Sequence, residues 1–236
     1  MQQRGSVPPT SNDKERSIPV IPFVTLILLL IGVIAWVDRN ATDRAKSYEA
    51  PASIPRRTFT AQELEEHPND PPLIRAIRDE DAETSLSLIK VGADVNQRNS
   101  EGGTPLFYSA GSLADHMLPV TEALVEHGAD LNTKCGEERM TPLHSASIDG
   151  SVKSAEYLLS KGADANARDA KGDTPLHVAA YASYDSPLET VKVLVDHGAD
   201  VNACNKEGMS VLDVTQKLRW HSTSSFLASK GAKNGS

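Results

Sequence analysis

The stretch TPLHSASIDGSVKSAEYLLSKGADAN, from Thr141 to Asn166, decides the fold. Thr141 can cap free backbone N–H groups, and Pro142 at the first helical position lacks only a donor that would have had no intrahelical partner. Leu143, Ala146 and Ser147 then share one helical stripe, and Val152, Ala155, Leu158 and Leu159 share a second. Gly162 stops the second helix, because glycine enters the left-handed conformation that a helix end commonly needs. The stretch reads as helix, turn, helix and polar loop, with two apolar stripes that it cannot bury alone.

The same text recurs on both sides. Gly-Ala-Asp-X-Asn stands at Gly92, Gly128, Gly162 and Gly198, and a degenerate copy follows at Gly231-Ala232-Lys233-Asn234. The helix-opening marker stands at Thr104, Thr141 and Thr174, erodes to Ser210-Val211-Leu212, and is anticipated by Pro71-Pro72-Leu73. Marker spacings of 33, 37, 33 and 36 residues predict an all-α solenoid of five helix-turn-helix units joined by hairpin-like loops. The second and fourth units are longer, around Ala114 to Pro119 and Tyr184 to Pro187, with Pro119 and Pro187 placed to open a helix. Such lengthening costs little and reads as tolerated surface variation.

These residues resemble the ankyrin repeat family, whose signature Thr-Pro-Leu-His-X-Ala is met at Thr141 to Ala146 and Thr174 to Ala179. The resemblance covers residues 68 to 234. The sequence departs from the pattern at Phe107, which stands where the family has His, in the first unit, which lacks the Thr, and in the fifth. There Asp213 replaces the His and Ser222, Thr223, Ser224 and Ser225 make the second helix polar, as expected of a terminal unit facing water. The resemblance implies that His144 and His177 hydrogen-bond the loop backbone. A shared metal is excluded, because equivalent atoms of adjacent units lie about 10 Å apart and zinc–nitrogen bonds are about 2.0 Å.

The resemblance also implies protein binding through a concave surface of loops and first helices. Carried over position by position, the contact residues are Arg98, Ser100 and Glu101, then Glu137, Glu138, Met140, Ile148 and Asp149. From the later units come Arg168, Lys171, Asp173 and Tyr181, then Lys206, Glu207 and Met209. Met140, Ile148, Tyr181 and Met209 are expected to face solvent as apolar anchors within a polar rim. An inhibitor or immunity factor is one form the resemblance permits, and a scaffold for envelope or stress-defence components is the alternative.

Before the repeats the composition changes. A polar tail, 1–17, precedes Ile18 to Val37, IPVIPFVTLILLLIGVIAWV, which carries no charge and is long enough to cross a hydrocarbon core of about 30 Å. Trp36 suits an interfacial anchor. A cleaved signal peptide is the rival reading, with Val33-Ile34-Ala35 as its cleavage site, but the polar leader contains Asp13 and Glu15 and the apolar stretch is longer than the usual run of about 7–15 residues. Arg4, Lys14 and Arg16 on one side balance Arg39, Arg44 and Lys46 on the other, so flanking charge does not choose an orientation. The short tail ahead of one early span suggests a signal anchor, hence a single-pass bacterial membrane protein with its repeats in the periplasm. Residues 38–58 read as a flexible linker. The repeat domain is expected over 59–236. It opens with a capping helix at about 60–67, because Thr60 and Glu63 match a capping box and Phe59 and Leu64 a hydrophobic staple.

Residues 60–236 hold 16 Lys and Arg against 27 Asp and Glu, a net of −11 that repels phosphate backbones, so nucleic acid is not an expected partner. Cys135 and Cys204 lie in loops two units apart, about twice the 8–10 Å helix spacing, beyond the reach of a disulfide. His127 and His197 stand before Gly-Ala-Asp as polar groups near helix C-termini. Asp94, Asp130, Asp164 and Asp200 are turn formers, and no phosphate loop, HExxH, GxSxG or CxxC motif occurs. The expectation is therefore a protein-binding module with no enzymatic activity, metal, cofactor or small-molecule substrate.

Overall fold

The computed structural model describes residues 70–182 and 187–235. The predicted membrane span at 18–37, the linker and the capping helix at about 60–67 lie outside the described residues. So does most of the fourth unit's additional segment.

Among the described residues five helix pairs follow one another: α1 Pro72–Arg78 with α2 Ala82–Lys90, α3 Pro105–Ala110 with α4 Leu118–Glu126, α5 Pro142–Asp149 with α6 Val152–Ser160, α7 Pro175–Tyr181 with α8 Leu188–Asp196, and α9 Val211–Lys217 with α10 His221–Ser229. A 3-10 turn, Asp115–Met117, takes up the second unit's additional residues and leads into α4, with Pro119 in its first turn. Pro187 sits at the N-cap of α8. Extended pairing among the described residues is confined to two isolated bridges, Cys135 with Met140 and Cys204 with Ser210.

Each pair starts as its chemistry requires. Thr104 and Thr141 accept from the backbone N–H of Phe107 and His144 through their hydroxyls, and Ser210 does the same for Asp213. Second helices end on glycines with φ of 88° to 96°, from Gly92 to Gly231, where any side chain would be strained. A Cβ there would meet nothing within 4 Å, so conformation and not crowding selects glycine.

The first helices pack on one another in series, α1 on α3, α3 on α5, α5 on α7 and α7 on α9, and the second helices form a parallel layer. One continuous core lies between the layers. Leu106, Leu143 and Leu176 of the markers and Leu124, Leu158, Leu194 and Leu227 of the second helices are at most 1% exposed. Burying each such leucine contributes about 1.5–3 kcal/mol, which a lone helix pair could not obtain. The polar run in α10 divides as its helical spacing dictates, with Ser222 and Ser225 exposed while Thr223 is buried.

Candidate protein-binding surface

The Gly-Ala-Asp-X-Asn text makes two separate structures. Its Asp carboxylate accepts from the N–H two residues on, at 2.9 Å in Asp94, Asp130, Asp164 and Asp200 alike, closing the predicted turn. Its Asn reaches the next loop. Asn96 accepts from the N–H of Asp130, Asn132 from Asp164, Asn166 from Asp200 and Asn202 from Lys233. The amide groups of Asn96 and Asn166 also donate onward, to the carbonyls of Gly128 and Gly198. This ladder fixes the loop spacing, and its signal in the sequence was the recurrence of Asn itself.

The histidines hold the other side of the loops. His144 accepts at Nδ1 from the Thr141 hydroxyl (2.8 Å) and Thr141 N–H (3.2 Å), so Nε2 carries the proton and donates to the Asp173 carbonyl at 3.2 Å. His177 repeats this with Thr174 and the carbonyl of Met209. Burial pushes His144 down to about 4 and lowers His177, so both act as neutral rings. In the second unit Phe107 cannot make these bonds, and Cys135 comes within 3.6 Å of the Thr104 hydroxyl instead. Cys135 and Cys204 are both free thiols. Among the described residues no group of three or more His, Cys, Asp or Glu is placed to hold a metal. His127 and His197 stand at helix C-caps and turn Nδ1 toward the carbonyls four residues back.

The loop tips are braced by the residues expected to meet a partner. Arg98 donates to the carbonyls of Gly102 in its own loop and Lys134 in the next, at 3.0 and 3.1 Å. Lys134 donates onward to Arg168, and Arg168 to Gly172 and Cys204 at 2.8 and 2.7 Å. Lys206 donates back to Ala170 at 2.6 Å. Arg98, Arg168 and Lys206 are thus exposed residues with a structural task, and their charged ends point at neighbouring backbone. Within the loops the side chains of Asn99, Asp169 and Asn205 each accept from two backbone N–H groups.

Of the remaining predicted contacts, Ser100, Glu101, Glu137 and Glu207 are exposed, and Glu138, Ile148, Lys171, Tyr181 and Met209 are half-buried. Three are corrections. Met140 is 7% exposed because its backbone pairs in both directions with Cys135, drawing it into the loop's base. Asp173 is buried and accepts from Asn205 at 2.8 Å, and burial raises its carboxyl above the usual range. Asp149 is buried at the end of α5. Solvent-facing anchors therefore reduce to the partly covered Ile148, Tyr181 and Met209.

Glu101 belongs to a network that sequence reading did not anticipate. Its carboxylate accepts from the Tyr108 hydroxyl at 2.9 Å and lies 3.5 Å from Arg78, whose guanidinium sits 4.6 Å above the Tyr108 ring and 2.8 Å from Asp70. Asn99 joins it by donating to Tyr108 and Asp70. Asn99 with Asp70 and Asn205 with Asp173 are the same contact made in two places, Asn in one loop reaching Asp in the loop before.

Stacked helix pairs, left-handed glycines, the Asn ladder and the Thr–His clasp define a class: a repeat protein whose loops form a braced row. The family model described as "Ankyrin repeats (3 copies)" matches residues 73–169 and again 117–205, and the chain belongs to the ankyrin repeat family. It is similar to BRCA1-associated RING domain protein 1 of Caenorhabditis elegans, 34% identical over 102 residues, which is 43% of this chain and 14% of that protein. It is also similar to potassium channel AKT3 of Oryza sativa subsp. japonica, 37% identical over 78 residues, 33% of this chain and 9% of the channel. Putative ankyrin repeat protein FPV024 of Fowlpox virus is 31% identical over 113 residues, 48% of this chain and 19% of the relative. The chain thus spans less than a fifth of each relative, and the likeness is one of repeats. Ankyrin repeats are protein–protein interaction modules and generally not enzymes.

Proposed function

We propose that this chain holds a partner protein against the row of loops and the first-helix layer, while residues 18–37 tether it to a membrane as a single-pass anchor. The observation that carries the binding reading is the bracing of successive loop tips by Arg98, Lys134 and Arg168. Loops ordered before contact lose less conformational freedom on binding, so more of the contact energy appears as affinity. Tyr181, Ile148 and Met209 supply partly exposed apolar groups, and Glu137 and Glu207 exposed carboxylates. The tether rests on the uncharged 20-residue stretch, long enough to cross a hydrocarbon core.

The test is a photo-crosslinking residue placed at Glu137 of the full chain in membranes, with Tyr181→Ala and a crosslinker at Glu126 on α4 as comparisons. One protein trapped from Glu137, weakened by Tyr181→Ala and absent from Glu126, supports the reading. Equal trapping from both positions overturns it. An enzyme as the trapped species assigns an inhibitor or immunity role near the membrane, and an assembly of envelope components assigns a scaffold. A reporter fused after Ser236 reads which side of the membrane the repeats occupy.

A further inference from the structure

We propose that Gly231–Gly235 is a strap that clamps the start of α9 to the loop before it, and that Asp213 stands at the histidine position because the strap offers N–H groups where the loops of the earlier units offer carbonyls. At His144 and His177 the residue three after the cap donates to a carbonyl of the following loop, Asp173 and Met209 respectively. Asp213 occupies the same place on α9, and its carboxylate accepts from the N–H of Gly235 at 2.7 Å. A carboxylate can only accept, so the reversal of polarity on one side of this contact matches the reversal on the other.

The strap is held at further points. The Asn202 amide donates to the Gly231 carbonyl, and the Lys233 N–H donates to the Asn202 side chain at 2.9 Å, which extends the asparagine ladder by one step. A Cβ added to Gly235 would collide with the backbone oxygen of Gly208, so the strap lies directly on the loop before α9.

The rival account is that Asp213 serves only its own helix. It accepts from the Ser210 N–H and hydroxyl at 2.8 and 2.9 Å, a capping box that needs no strap. Gly235 separates the two accounts: a Cβ there would meet both the Gly208 oxygen and Asp213 Oδ2, which displaces the strap's end, while the Ser210–Asp213 bonds are made within the helix's own first turn.

Amide hydrogen exchange on the full chain provides the test. If the strap clamps α9, Gly235→Ala accelerates exchange across Asn202–Cys204 and Val211–Lys217 by about tenfold, as expected on losing a hydrogen bond to a charged group, and leaves Leu143–Ser160 unchanged. In an Asp213→Ala background the same change adds less than about twofold, since groups acting through one contact are not additive. Parent-like protection in Gly235→Ala overturns the proposal, and so does an equal increment in both backgrounds.

Discussion

A single imidazole shows how residue chemistry sets the conditions under which this array stays folded. His144 is fully buried, its Nδ1 lone pair is taken by Thr141, and its Nε2 proton is committed to Asp173. Protonating it would place a second N–H against donors in an apolar setting, so burial holds it at about 4, below the ordinary 6.5. The folded state thus binds fewer protons than the unfolded one between these values. Stability is then unaffected above about pH 6.5 and is lost progressively as pH falls toward 4, by on the order of 3 kcal/mol for this group, with His177 acting in the same direction. Phe107 shows that the position accepts an aromatic ring. His144→Phe should accordingly lower the melting temperature at pH 7 through its lost bonds, yet give a shallower decline from pH 6.5 to 4. A parallel pH profile in the variant would assign the acid sensitivity to other groups. Asn166→Ala, which removes bonds to Asp200 and Gly198, should cost about 1–2 kcal/mol in denaturant unfolding.

At the scale of the element, the loop is where the sequence is both most and least legible. The helix pairs could be read in advance because each boundary is a local chemical event, a Thr-Pro start or a left-handed glycine stop, repeated until chance is excluded. The Thr–His clasp was legible through the family resemblance. The bracing of the loop tips was not, because an Arg beside a turn has the same local sequence whether its guanidinium meets water or a carbonyl 36 residues away. That depends on the register between units, which the stack sets. Met140 and Asp173 were misplaced for the same reason, their burial being decided by Cys135 and by Asn205 of a neighbouring loop. Since Arg168 joins its own loop to the next through Gly172 and Cys204, Arg168→Ala should free two carbonyls and loosen both loops. The expected result is a stability loss of about 1–2 kcal/mol with faster amide exchange in residues 204–209, and weaker capture of the crosslinked partner. Faster exchange with undiminished capture would show that loop order is not what the partner uses.

For the repeat array as a whole, stability is a sum over neighbours: among the described residues each helix pair packs mainly on the pairs before and after it, so the outermost described pairs and the central ones respond differently to the same injury. Leu158 and Leu227 occupy equivalent places on α6 and α10, and both are fully buried. Truncating either to Ala leaves a cavity and removes about 2–5 kcal/mol of local stability. At Leu158 that loss falls on a pair with neighbours on both sides, so the array has no cheap way to open there and must unfold as one. At Leu227, among the described residues, the pair packs on one neighbouring pair, α7 and α8, and can open alone. Leu158→Ala should therefore shift a single cooperative transition to lower denaturant, with circular dichroism and amide exchange of α3 through α8 moving together. Leu227→Ala should instead split off an early phase, in which α9 and α10 lose protection before residues 105–160 change. Identical single transitions for the two variants would mean that coupling between pairs exceeds the stability of any one pair, and that the array behaves as one globular domain.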